Sequence, residues 1–362
     1  LQLIEAGKAR SLHFRFLERY VQRFTGILYQ SECLVIVIKD KDPCWPLQQT
    51  LGIFVEVSVL TLVLNNISKV DVVMPPGVHN LGAGFEVRRA LPSAKRQMVG
   101  PFIFFDAFGP AVFGEGDGVD TRPHAHIGLA TLTYLIEGDL LHRDSAGHVQ
   151  AIGPSEANLM TAGPGIVHSE RTPESARVQG STIFGQQVWL ALPKAQEEAE
   201  PSFAHHAASA LPRIEGEGIT ATLIAGSGFG RRYPVSTFSD TIYADVALAR
   251  GARFQIAAEH AERAIYLVVG SVRVVGQEGE FSAGELIVFK PGSEIVLKAG
   301  SAVRLMLIGG EPLPEKRFIH WNFVSSSMER IEQAMSDWRE RHFPGVPGET
   351  EFIALPTEVA SR

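Results

Sequence analysis

Three imidazoles and one carboxylate stand in two tight clusters, His124-Ala125-His126 and Gly165-Ile166-Val167-His168-Ser169-Glu170. Side chains alternate between faces along a β-strand, so an i, i+2 pair points to one side. His124 and His126 therefore share a face, as do His168 and Glu170. Two such strands can close four ligands on one cation. Imidazole nitrogen with carboxylate oxygen suits iron, and also manganese, nickel, copper or zinc. Neutral imidazole and ionised carboxylate are both available at pH 7, so binding needs no costly deprotonation. A single H-x-H in a strand is more often a surface or hydrogen-bonded histidine than a ligand. Two clusters of the same spacing, separated by a hairpin-rich segment, favour the metal.

The surrounding chain must supply strands to hold these pairs. From Met74 onward, short β-branched and aromatic runs are broken by Gly and Pro, as in Pro101–Phe105, Thr131–Ile136 and Val188–Leu192. That texture predicts all-β barrels or sandwiches rather than a parallel α/β sheet. A repeat runs through it. Tyr134-Leu135-Ile136-Glu137-Gly138 returns 132 residues later as Tyr266-Leu267-Val268-Val269-Gly270. The stretch ending at Gly163 returns 129 residues later, ending at Gly292. These offsets carry His124 and His126 onto Ile256 and Ala258, and His168 and Glu170 onto Leu297 and Ala299. None of the four can bind a metal, and together they suit a filled apolar barrel. His260, two residues beyond, reads as an exposed loop histidine among Glu259 and Glu262.

Bulk properties narrow the function. The 362 residues are 45% hydrophobic and 20% charged, with a formal charge of −7 and a pI near 6.0. That balance argues against a chain that grips nucleic acid through its own basic surface. Two cysteines, Cys33 and Cys44, give neither a disulfide framework nor a zinc ribbon and suit a reducing cytoplasm. The longest nearly apolar run, Leu51 to Leu64, contains Glu56 and Ser58 and falls short of the ~20 residues that span a bilayer. No signal peptide is readable. The expectation is a cytoplasmic monomer with no membrane and no direct nucleic-acid partner.

Residues 1–73 differ from the rest. They hold both cysteines and eight Lys/Arg against seven Asp/Glu, so the acidic balance lies entirely beyond them. They read either as an extension, with a helix over Ser11–Phe24 and strands near Cys33–Ile38 and Ile53–Leu64, or as translated upstream sequence with the natural start near Met74. The second reading is preferred, because the local patterns disagree with one another. The predicted division is an extension over 1–73, a metal-binding barrel over 74–205, a metal-free barrel over 206–324, and a helix and tail over 325–362.

Several motifs together resemble the pirin family, bicupins of the cupin superfamily. They are Arg122-Pro123-His124-Ala125-His126-Ile127-Gly128, Tyr134 to Gly138, and Thr161-Ala162-Gly163-Pro164-Gly165 through Glu170, joined by Arg88 to Pro92, Val99 to Asp106, and the tail from Trp321 to Arg339. The resemblance covers residues 74–362. The general first cupin motif is similar to Gly118 followed by His124 and His126, but its later glutamate is missing and Ala130 stands near its place. The resemblance implies that the carboxylate comes from the second motif. His124, His126, His168 and Glu170 would then hold one Fe(II) in the first barrel, with the second metal-free. It implies two antiparallel jelly-roll-type barrels, face to face, closed by a C-terminal helix. It also implies quercetin 2,3-dioxygenase activity on flavonols or related enolisable aromatics, opening the ring with release of carbon monoxide. The partners would be a small aromatic substrate and dioxygen. The alternative reading is an iron-dependent regulatory protein that binds a transcription factor or metabolic enzyme without turnover. A cupin isomerase, or a storage-type bicupin with an idle metal, ranks third.

Roles follow from the chemistry. The three histidines act as structural ligands, and Glu170 can also accept the substrate hydroxyl proton, since metal contact acidifies a bound hydroxyl. His142, Asp144 and His148 read as a solvated loop. Asp106 is a turn residue or a partner for a ligand imidazole. Phe104, Phe105 and Phe108 read as core rather than as a platform for a flat substrate. Gly163 and Gly165 are expected to allow positive φ in the turn before His168. Ser326, with Glu329 three residues on, predicts a capped helix whose Ile331, Met335 and Trp338 share a face, ending before Pro344.

Overall fold

Among the described residues beyond Ser68, the apolar runs become strands whose ladders are all antiparallel. The computed structural model describes residues 28–30, 33–35, 62–63, 68–80, 85–233 and 237–356. Two units result, Leu1–Ile67 and Ser68–Arg362. In the first, Leu28–Gln30, Cys33–Val35 and Leu62–Val63 form a three-stranded antiparallel sheet. The helix expected over Ser11–Phe24 lies outside the described residues, as does the remainder of both expected strands.

In the second unit, five strands build the chemistry of the first barrel: β1 (Asp120–His126), β2 (Leu129–Glu137), β3 (Leu140–Asp144), β4 (Ile166–Arg171) and β5 (Ser181–Ala191). A four-stranded sheet runs Val149–Ile152, β3, β4, β1, and faces a seven-stranded sheet that has β2 and β5 at its centre. The second barrel repeats the plan with β6 (Arg253–Ile256), β7 (Glu262–Val269), β8 (Ser271–Val274), β9 (Ile295–Ala299) and β10 (Val303–Gly310). Its small sheet runs β6, β9, β8, Phe281–Ser282, the order of β1, β4, β3 and Val149–Ile152 in its twin. The molecule is therefore an all-β bicupin with a C-terminal helix.

The two large sheets share one core. Phe105 meets Tyr266 with ring centroids 4.9 Å apart, and Phe102 meets Tyr243 at 5.9 Å. The Tyr134 hydroxyl donates to Asp245 Oδ2 at 2.9 Å, and the Arg304 guanidinium forks onto the same carboxylate. The repeated tyrosines thus sit where the barrels meet, and each such buried ring contributes about 1.5–3 kcal/mol through apolar burial. Val70–Met74, before the first barrel in sequence, pairs with Leu286–Phe289 as a strand of the second barrel.

The C-terminal helix spans Met328–Arg339, and its cap is Ser327 rather than Ser326. Ser326 is already committed: its backbone N–H and hydroxyl both donate to Glu197. Ser327 Oγ instead accepts the Arg330 N–H at 3.3 Å and donates to Glu329. Ile331, Ala334 and Trp338 are buried, with Met335 partly so, against Ala125, Ile127, Val167 and Phe323. Ala125 and Val167 alternate with the histidines of β1 and β4. The helix therefore grips the outer face of the sheet whose inner face carries the imidazoles. No helix among the described residues is long and apolar enough to cross a membrane.

Candidate metal centre

β1 and β4 pair so that His168 lies opposite His124 and Ile166 opposite His126. The strand alternation then turns His124, His126 and His168 inward together. One ligand nitrogen from each lies within 4.8 Å of the others. His126 Nε2 and His168 Nε2 are 3.0 Å apart. Two nitrogens each about 2.0–2.1 Å from a single cation at right angles would stand about 3 Å apart, so the pair fits a shared metal. His126 and His168 are fully buried and His124 is 6% exposed. His124 Nδ1 faces the Arg122 carbonyl at 2.9 Å. A carbonyl only accepts, so Nδ1 carries the proton and Nε2 is left bare. His126 Nδ1 makes no hydrogen bond and lies near the Asn322 backbone.

Burial sets the charge state. It pushes His126 and His168 well below the ordinary imidazole pKa, helped by neighbouring His124. It also lowers His124, against the opposing pull of the Arg122 carbonyl and Glu170. All three are held neutral, the form that binds a cation. Trp189 meets His126 edge-on at 5.0 Å and is itself stacked on Phe104 at 3.9 Å, which fixes the ring.

Glu170 is treated differently by the fold. It is buried on β4, but a register shift falls between His168 and Glu170 in the pairing with β1, so the ideal alternation is broken there. Its carboxylate lies outside the three-histidine group. Gln187 Nε2 donates to both of its oxygens at 2.8 Å, and the Thr133 hydroxyl reaches Oε1 at 3.3 Å. Gln187 and Thr133 are site residues that sequence reasoning passed over. Their one signal is polarity inside the apolar strands β5 and β2.

Known proteins resemble this chain over most of its length. A family model described as "Pirin" matches residues 84–190, and one described as "Pirin C-terminal cupin domain" matches 243–344. A pirin-like protein of Caulobacter vibrioides is 47% identical over 292 residues, covering 79% of this chain and 99% of its own. The chain belongs to the pirin family. Rat pirin is 31% identical over 270 residues, covering 71% of this chain and 87% of its own. A crystal structure of quercetin 2,3-dioxygenase from Acinetobacter baumannii superposes with a TM-score of 0.73 at 30% identity, over 80% of this chain and 96% of that one. The three-histidine cluster of this pirin is a site that could bind a metal.

Several expectations need correction. His142 and Asp144 are not in a solvated loop. They lie buried on β3, opposite Glu170 and His168, with His148 just beyond the turn. Asp106 is neither a turn residue nor a partner of a ligand imidazole: it sits mid-strand, and the Arg89 guanidinium forks onto it with two bonds of 2.8 Å. Phe104, Phe105 and Phe108 are core, as expected. Gly163 has φ +53°, but Gly165 has ordinary φ and is required because the Phe343 ring leaves no space for a Cβ.

The second barrel is apolar at the corresponding places, though the register moves two of the equivalents. Phe254 lies opposite Leu297 and Ile256 opposite Ile295, as His124 lies opposite His168 and His126 opposite Ile166. His124 and His126 thus correspond to Phe254 and Ile256, not to Ile256 and Ala258. The turn between β6 and β7 is longer than its counterpart between β1 and β2, which displaced the simple offset. His260 is buried rather than exposed, with Nδ1 2.6 Å from Asp240 and Nε2 3.0 Å from the Ser227 carbonyl.

Proposed function

We propose that this pirin is a metal-dependent dioxygenase of flavonols or related enolisable aromatics, with one divalent cation, Fe(II), on His124, His126, His168 and Glu170. The observation that carries the reading is the convergence of three buried, neutral imidazoles on one point of a barrel whose twin is apolar there. The similarity to a quercetin 2,3-dioxygenase supports the substrate class. A bound ferrous ion supplies Lewis acidity toward the 3-hydroxyl and redox access to dioxygen. The chain does the rest. Arg122 holds His124 in the tautomer that bares Nε2. Gln187 and Thr133 orient the Glu170 carboxylate, which accepts the substrate hydroxyl proton as general base. The burial of His126, His168 and Glu170 keeps bulk water from these groups and strengthens their interactions.

The test loads the purified chain with Fe(II), adds quercetin in air, and follows loss of the flavonol absorbance. Turnover is expected, with none in His124→Ala or under argon. Full metal content without turnover would replace this reading with the regulatory one. A Glu170→Gln variant that keeps both metal and full turnover would remove the base role.

A further inference from the structure

Behind His168, on the side away from His126, a line of polar groups runs outward through β3. His142 Nδ1 stands 3.4 Å from His168 Nδ1, and His142 Nε2 stands 3.2 Å from Asp144 Oδ2. Asp144 is fully buried. Its Oδ1 accepts the backbone N–H groups of Ala146 and His148, each at 3.0 Å, and its Oδ2 takes His148 Nδ1 at 2.9 Å. The Phe203 ring stacks on His142 with centroids 4.5 Å apart and planes 21° apart, which holds the imidazole in its plane.

The geometry points to His142 and Asp144 as positioning residues that decide which nitrogen of His168 carries its proton. The logic runs from the carboxylate inward. Every other group around Asp144 is a donor, so Asp144 acts only as an acceptor and His142 Nε2 must bear hydrogen. A neutral His142 then presents a lone pair at Nδ1. His168 therefore carries its proton on Nδ1 and leaves Nε2 bare toward the cluster. That bare Nε2 stands 3.0 Å from His126 Nε2. The consequence for affinity rests on the metal reading above; the tautomer does not.

The twin barrel separates this role from folding. His142 lies opposite Glu170 and Asp144 opposite His168, while in the second barrel Val272 lies opposite Ala299 and Val274 opposite Leu297. Val272 and Val274 are buried in the same frame. The sheet therefore accepts valine at both positions, and the polar pair is present only where the imidazoles are.

The decisive experiment uses the full chain labelled with ¹⁵N-histidine. Nitrogen shifts of the apo protein report the tautomer of His168, assigned by its loss in His168→Ala. Zn(II) affinity is read by competition with a chelator. Wild type is expected to show His168 protonated at Nδ1. His142→Val is expected to fold, lose that bias, and bind Zn(II) about 10–100-fold more weakly, the usual cost of losing an outer-shell partner. His142→Gln, which can still accept from His168 and donate to Asp144, is expected to keep both. An Nε2-protonated His168 in wild type, or a His142→Val chain with unchanged tautomer and affinity, would overturn the inference. Failure of wild type to take up Zn(II) would count against the metal reading alone, since the apo spectra still decide the tautomer.

Discussion

In the first barrel, the inner faces of β1 and β4 carry His124, His126 and His168; in the second, the same register positions carry Phe254, Ile256 and Leu297. The difference extends past the imidazoles. Thr133 lies opposite Gln187 in the first barrel, and Ile265 lies opposite Leu307 in the second. One frame thus holds either a polar cluster with its supporting shell or a continuous apolar filling. The two barrels differ by whole sets of contacting residues, as a buried polar network requires: half of one costs more than none. The apolar version shows what the fold needs, and the polar version shows what it gives up.

That contrast can be tested directly. The largest effect should come from Leu297, which is fully buried in the filled barrel. Leu297→Ala is expected to lower stability by about 2–5 kcal/mol, read by urea unfolding in the presence of chelator. The reverse change comes next. Because His126 Nδ1 is buried without a partner, His126→Leu should raise the stability of the metal-free chain by about 1–3 kcal/mol while weakening metal binding. A loss of stability there would mean that the cluster supports the fold after all.

The third effect is one of pH, and near neutrality it is the smallest. Burial depresses the folded-state pKa of His124, His126 and His168 below the ordinary 6.5. Below that value the unfolded chain binds protons that the folded chain refuses. Stability is therefore intact above about pH 6.5 and falls as pH drops beneath it, by at most ~1.4 kcal/mol per pH unit for each group. Replacing His126 and His168 by the twin's Ile and Leu should flatten that slope in chelator.

The sequence shows much of this because β alternation is a local rule. His124 and His126 point inward, and Ala125 outward to the helix, for the same reason. Three features stay hidden because they belong to pairing rather than to a single strand. The register shift between His168 and Glu170 exists only against β1. The Gln187 contact joins Glu170 across the barrel, between the two sheets. The segment Leu140-Leu141-His142-Arg143-Asp144-Ser145 looks like a loop until β4 lies beside it and buries its alternate residues. Ser326 and Ser327 are equivalent caps on local grounds, and a distant glutamate, Glu197, decides between them.

The strand Val70–Met74 has a consequence for how the molecule can be made. It leaves the ribosome before the first barrel, yet its partner Leu286–Phe289 emerges only near the end of synthesis. It must wait, unpaired, while an entire barrel closes downstream of it, and such distant pairing is slow. A break between the barrels would strip the later one of this ribbon, so the halves are stitched together and cannot be exchanged as independent modules.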